Sequence, residues 1–331
     1  MLVATVIAIV RLDRLMTAVT LMGFFSLLSA SIFMVLDAVD VAFTEAAVGA
    51  GASTIFILAA LAVVGRRSKK KRREKTILPL AVVICTGAVL FYATFDMPYF
   101  GLADAPVHTH VAPRYLNESK DEVGPPNIVT SVLASYRGYD TFGEAGVVFT
   151  AFIGVIMLLG GGTRQSGIER PAPPNVKVES MRQKIVLREV ADLLIAPVLI
   201  FALYVQWHGD FGPGGGFQAG VIFASAIILY ALIYGIVPAQ QLLPPRKLAY
   251  FPAIGLLLYA IVGVVGMFKG GNFLDYGALM ADPHDGQHYG ILIIELGIGI
   301  TVAAVMINVF FSLSERSLSV SYTHLTLPTK A

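Results

Sequence analysis

Cysteine is almost absent: Cys85 is the single thiol in 331 residues, and tryptophan also occurs once. One cysteine excludes an intramolecular disulfide and leaves too few thiolates for an iron–sulfur cluster or a structural zinc site. Charge is scarce as well. Asp, Glu, Lys and Arg make up 14% of the residues against 56% hydrophobic, and the mean hydropathy is +0.73. That is too little polar surface to coat a soluble globule, so the chain reads as an all-α integral membrane protein. The net charge of +2 decides little about partners, because in membrane proteins the placement of charge along the chain outweighs its sum.

What is present is a series of apolar stretches. Runs long enough to cross about 30 Å of hydrocarbon, roughly 20 residues each, lie near 15–36, 41–64, 77–95, 141–160, 187–207, 215–237, 247–268 and 289–312. Met1–Val10 is apolar but ends at Arg11, and ten helical residues rise only about 15 Å. It reads as a half-inserted helix or the remainder of a longer one. A cleavable signal peptide is not expected, since no basic region precedes it and no small-residue cleavage site follows. The expectation is eight to nine transmembrane helices in three small bundles.

Lys and Arg mark the cytoplasmic side of a membrane protein. Residues 66–75, Arg-Arg-Ser-Lys-Lys-Lys-Arg-Arg-Glu-Lys, hold eight basic side chains and one acid directly after the second long run. That end is expected inside. Residues 96–127 then fall outside, rich in Asp and Glu. Residues 163–188 fall inside with Arg164, Arg170, Lys177, Arg182, Lys184 and Arg188. The alternation continues through Arg246 and Lys247 inside and Asp275, Asp282 and Asp285 outside to Arg316 inside, which puts the C-terminus in the cytoplasm. The position of the 66–75 run at a helix exit reads as an anchor for anionic lipid, and no nucleic-acid partner is assigned.

Glu45 lies in Val41-Ala-Phe-Thr-Glu-Ala-Ala-Val-Gly-Ala-Gly-Ala-Ser53. A carboxylate in hydrocarbon costs about 2.5–3.5 kcal/mol on insertion scales and persists mainly where it faces a protein interior or a watery path. The small residues after it, among them Gly49 and Gly51, form a surface that lets another helix approach closely. Glu144 and Glu295 occupy comparable depths, roughly 6–10 Å below the outer surface at 1.5 Å per residue. If the three helices are neighbours, the acids form a lateral row for protons or Na+. The other reading is that each acid reaches interfacial water or pairs at a helix end.

A buried carboxylate has its pKa raised by desolvation and exchanges a proton near neutral pH, or trades it for Na+ where oxygen ligands converge. Asp37 and Asp40 are either helix caps or an ion-entry mouth. Asp140 and Glu144, four apart, share a helical face, as do His288 and Glu295 at seven apart. Histidine adds a group that ordinarily titrates near neutral pH. Lys269 is expected to snorkel to the interface, and Glu189 and Asp192 to complement a helix start. Gly212-Pro-Gly-Gly-Gly216 lacks the Lys-Ser/Thr of a phosphate loop and no strand precedes it. Gly214, Gly215 and Gly216 therefore read as a tight turn that lets helices pack. The loop histidines and acids at 108, 110, 282, 284, 285 and 288 have no specific ligand spacing, and no metal or cofactor is assigned.

Three strings carry a family resemblance. Leu36-Asp-Ala-Val-Asp-Val-Ala-Phe-Thr-Glu-Ala-Ala-Val-Gly-Ala50 resembles the C-terminal region of the large subunit of Mrp-type multisubunit sodium/proton antiporters and the matching subunit of membrane-bound hydrogenases. Asn127-Ile-Val-Thr-Ser-Val-Leu-Ala-Ser-Tyr-Arg-Gly-Tyr-Asp-Thr-Phe-Gly-Glu144 resembles the element that follows it. The region 186–313, with His208-Gly-Asp-Phe-Gly-Pro-Gly-Gly-Gly-Phe-Gln218, is similar to the antiporter B subunit. Domains are expected at 1–75, 76–165 and 166–318, with 319–331 a disordered or non-native tail.

The resemblance implies a membrane subunit of a cation/proton antiporter in a bacterial plasma membrane. Its partners would be the other subunits, with Na+ and H+ as cargo. It also leaves open a subunit of a membrane-bound hydrogenase or respiratory complex, or a scaffold that conducts nothing. The long antiporter bundles of the family's large subunits are missing from this chain.

Overall fold

The computed structural model describes residues 1–64, 77–99, 101–160 and 184–326. The basic run 66–75, the whole junction Gln165–Met181 and the last five residues lie outside them. Among the described residues there is no strand, as hydrocarbon demands of a chain that must satisfy its backbone groups within each segment.

α1 (Leu2–Arg11) leads into α2 (Leu15–Val35). A turn through Asp37 follows, then α3 (Val39–Thr44), a π-helical stretch over Glu45–Ala52 and α4 (Ser53–Val64). α5 (Ile77–Ala93) precedes the short helices α6 (Pro106–Thr109), α7 (Ala112–Glu122) and α8 (Ile128–Thr130). A second π-helical stretch, Ser131–Tyr136, leads into α9 (Gly138–Gly160). α10 (Ile185–His208) and α11 (Gly216–Tyr234) come next, then the short α12 (Ile236–Leu242) and α13 (Pro245–Leu248). α14 (Phe251–Phe268) and α15 (Pro283–Thr326) complete the fold.

Seven helical segments among the described residues are long and apolar enough to cross a membrane, and α10, at 24 residues, has the length of a further span. α15 is the central post. Within its most apolar window 61% of residues are buried inside the chain, whereas none of α5 is, so α5 is free to face lipid or other subunits. Helices from all three sequence blocks pack on α15: α4 from the first, α9 from the second, and α10, α11 and α14 from the third. One core gathers Ile291, Ile294, Ile298 and Val302 of α15 with Val221 of α11, Tyr259 of α14, Ala52 and Ala134. A second joins Ile307, Phe310 and Phe311 to Ala224, Ile228 and Ala239.

Close contact replaces hydrophobic burial as the force between membrane helices, which is why glycine appears where they cross. A Cβ on Gly216 would lie 2.0 Å from the Glu295 carbonyl oxygen, and one on Gly220 would lie 2.8 Å from that of Gly299. On the other side of α15, a Cβ on Gly255 would meet the Gly297 carbonyl at 2.3 Å. Polar side chains stitch the same seam. Thr301 donates to the Pro252 carbonyl, and the Asn308 amide to that of Leu248.

α15 continues to Thr326, into the stretch from 319 that reads as a disordered or non-native tail. No Gly or Pro interrupts Ser317–Thr326, and the first breaker is Pro328, so nothing in that stretch forces the helix to stop.

Candidate functional site

The polar loop between α10 and α11 organises the site. It folds back on α10 through the Gly215 N–H to the Val205 carbonyl, 3.0 Å, with Gly215 at φ 105°, a conformation that favours glycine. The Cβ positions of Gly209 and Gly215 would lie 2.8 and 2.9 Å from the Glu295 carboxylate oxygens. The Glu295 side chain therefore fills space that these glycines leave open beside their backbone.

The charges acting on Glu295 are Asp210 and then Asp40. Asp210 lies in the glycine loop, and its side chain is 12% exposed; Nδ1 of His288 stands 2.9 Å from its carboxylate. Burial holds the Asp210 carboxyl above the ordinary range, an effect partly offset by His288 beside it. Asp40, in the first turn of α3, lies within hydrogen-bonding reach of the Gly214 N–H and the Asn127 amide. Asn127 caps α8 by accepting from the Val129 N–H, and its Nδ2 donates to the carbonyls of Gly209 and Gly212. Thr130 adds a 2.6 Å bond to the Gly209 carbonyl. Side chains from three distant parts of the chain thus converge on one glycine loop and on Glu295. The arrangement places three carboxylates, one imidazole and several fixed carbonyls together, which suits the holding and passing of a small cation.

The remaining expected site residues are distributed differently. Glu45 is partly buried at the start of the π-helical stretch and faces α2: a Cβ at Gly49 would meet its Oε1 at 2.6 Å and the Ser26 hydroxyl at 2.7 Å. Glu144 is exposed on α9. The buried Tyr259 hydroxyl, which donates to the Gly138 carbonyl, stands within electrostatic reach of both Glu144 and Glu295. Glu45, Glu144 and Glu295 do not form a contiguous row, because Glu45 turns toward α2 and Glu144 toward the chain's surface.

Asp140 forms an ion pair with Arg137 at 2.6 Å rather than stacking in a relay with Glu144. His288 pairs with Asp210 of the facing loop, not with Glu295 on its own helix. The capping role for Asp37 and Asp40 is not met. Ala38 occupies the N-cap of α3 without a side-chain bond. Asp37 sits exposed in the turn at φ 61°, a left-handed conformation that aspartate tolerates. Lys269 donates to the Leu279 carbonyl, and Asp192 accepts from the Tyr234 hydroxyl.

The small-residue face after Glu45 is used within the chain. Gly49 abuts Ser26 of α2, and Ala47, Val48 and Ala52 join the core around α15. A further link ties the neighbouring Thr44 hydroxyl to the Gln218 amide of α11 at 2.9 Å. Asp210 and Asn127 carry much of the site yet do not stand out in the sequence, because acids and amides are ordinary in polar loops. Their one signal is membership of the second and third motif strings.

Three family models match successive parts of the chain. Residues 186–308 match the domain related to the MnhB subunit of Na+/H+ antiporters, while 1–66 match the MbhD family and 71–183 the MbhE family, both subunits of MBH. The antiporter subunit mnhB2 of Staphylococcus aureus (strain Newman) is 37% identical over 133 residues, 39% of this chain and 94% of the relative. Among solved structures, a chain of the Mrp complex from Dietzia sp. DQ12-45-1b superposes with a TM-score of 0.74 at 27% identity over 95% of this chain. This chain spans 34% of that Mrp chain. The membrane-bound sulfane sulfur reductase, an archaeal respiratory membrane complex, gives a TM-score of 0.53 at 29% identity, covering 71% of this chain and 96% of that one. The chain therefore belongs to the family of MnhB-related Na+/H+ antiporter subunits, joined in one polypeptide to segments of the MbhD and MbhE families.

Proposed function

We propose that this chain works in a multisubunit Na+/H+ antiporter of a bacterial plasma membrane, where the cluster of Glu295, Asp210 and Asp40 is an exchange point for H+ and Na+. The observation that carries the reading is the convergence of acids from separate blocks on one glycine loop. Three carboxylates in a low-dielectric setting cannot all stay ionised cheaply, so the cluster favours a bound cation. Its affinity then changes if the blocks shift relative to one another. Glu45, beside α2, and Glu144, at the chain's surface, are separate acids that serve the ion only through other subunits or water, and the surface of α5 receives a neighbouring subunit. The 66–75 run holds anionic lipid at the cytoplasmic face.

The test of function is cation-dependent proton flux in everted vesicles containing the whole complex. Leaving this chain out should abolish the flux, and supplying it from a second plasmid should restore it. Unchanged flux without the chain would reject the reading. A second reading, a subunit of a respiratory complex, draws on the likeness to the sulfane sulfur reductase and to the two MBH families. Genes for iron–sulfur or nickel–iron subunits beside this one would favour it, and antiporter subunits alone would favour exchange.

Orientation follows from the basic runs, with the C-terminus and residues 66–75 inside. In a Cys85→Ser background, Ser68→Cys and Gln165→Cys should react with an impermeant maleimide only from the cytoplasmic side. Asn117→Cys on α7 should react only from outside. Asn117 is the choice because it is exposed whereas Ser119 nearby is 1% exposed. Labelling of Ser68→Cys and Asn117→Cys from the same side would overturn this topology.

A further inference from the structure

A cavity of about 550 Å³ opens between α10, α11, α14 and α15, and its lining holds no acidic side chain. Among its lining residues only two have polar side chains. Lys247 lies at one end beside Pro244 and Leu248, and Gln206 lies at the other beside Gly299 and Leu296. From Leu296 to Ile307 the cavity follows α15 for about 16 Å at 1.5 Å per residue, roughly half of the ~30 Å hydrocarbon thickness. Its length is thus about that of one leaflet, running from the level of Lys247 toward that of Glu295. Leu203, Leu242 and Phe251 on its lining are exposed, so it opens sideways to lipid.

Lys247 is exposed, follows Arg246, and makes no ion pair among the described residues. A cationic rim over an apolar slot of one leaflet's depth matches a lipid with a negative headgroup. The volume falls in the range of small-ligand sites, about 300–1,000 Å³.

We propose that this cavity is a binding site for one anionic glycerophospholipid, its acyl tail between α11 and α15 and its headgroup on Lys247. The tail ends against Leu296 and Gly299, one residue and one turn beyond Glu295 on α15. It closes the apolar side of that helix, so that the carboxylate communicates with the glycine loop rather than with the opposite leaflet. The site does not depend on the ion carried.

The experiment purifies the whole complex in mild detergent, exchanges it into vesicles of equal phosphatidylglycerol and phosphatidylethanolamine, re-extracts it, and quantifies retained lipid by native mass spectrometry. A photoreactive diazirine phosphatidylglycerol then maps the contact. Wild type should retain phosphatidylglycerol and cross-link within α11 or α15. Lys247→Gln, a surface change that leaves the fold intact, should lower phosphatidylglycerol retention about fivefold without affecting phosphatidylethanolamine. Ala303→Trp, which fills the slot from α15, should abolish the cross-link while the complex still assembles. Equal retention of both lipids in wild type would overturn the proposal. So would a cross-link unchanged in Ala303→Trp, or capture of a neighbouring subunit by a photoreactive residue replacing Leu243.

Discussion

Glu295→Gln is expected to leave the complex assembled and to reduce cation-dependent proton flux by about a hundredfold or more, the scale on which a positioned proton-transfer group acts. Glutamine keeps the length and shape that fill the space beside Gly209 and Gly215, so packing is retained while titration and charge are lost. The measurement is the initial rate of acridine-orange dequenching on adding NaCl to everted vesicles, divided by the amount of assembled complex on a native gel. Glu295→Asp withdraws the carboxylate by one methylene from the loop and should retain partial flux with an altered pH profile. Neither substitution touches the Asp210–His288 pair that anchors the loop, so normal assembly with lost flux separates loss of the exchange group from collapse of the loop. Wild-type flux per complex in Glu295→Gln would remove this cluster from the route and return the assignment to Glu45 or Glu144.

Glu45→Gln should also abolish flux per complex, for a reason visible in the helix that carries it. The residue opens a π-helical stretch, a geometry that recurs at functional sites. Its carboxylate faces Gly49 and the Ser26 hydroxyl on α2. A neutral amide keeps the size and polarity of the group beside that neighbour but cannot take up and release a proton. Glu45→Asp should give partial activity. If Glu45 were a packing residue, both changes would instead lower the abundance of the complex and leave flux per complex near wild type. The two substitutions read together are informative, since Glu295 lies on the central helix and Glu45 on the flank toward α2. Loss in both would support a route across the chain, and loss in one would assign the ion to that side.

Much of this was open to inspection in the sequence. Apolar runs gave most of the spans because about 20 residues of helix must match the bilayer. Glu45, Glu295 and His288 stood out because a titratable group within or beside such a run is expensive and rare. Asp210 and Asn127 were not visible on that ground. A polar loop carries acids and amides at no cost, and only contact with a distant segment gives them a task. The capping reading of Asp37 and Asp40 failed because helix-start statistics cannot see that Asp40 has the Gly214 N–H and the Asn127 amide within reach. The π-helical stretch at Glu45–Ala52 has no compositional mark either, since the i→i+5 pattern is a matter of backbone fit to neighbouring helices.

Composition, periodicity and charge asymmetry by themselves determined that this chain is a helical membrane protein, where its main spans fall, and which acids are costly enough to question. Those properties are local, because each depends on a residue and the solvent or lipid its own helix meets. Only the tertiary structure decided that Glu295 has Asp210 and Asp40 for company, that His288 answers to the loop opposite, and that Gly49 is filled by the chain's own α2. Those facts depend on which glycine surfaces meet around α15. In hydrocarbon that choice rests on backbone-to-backbone fit between segments far apart in sequence, which no single segment contains.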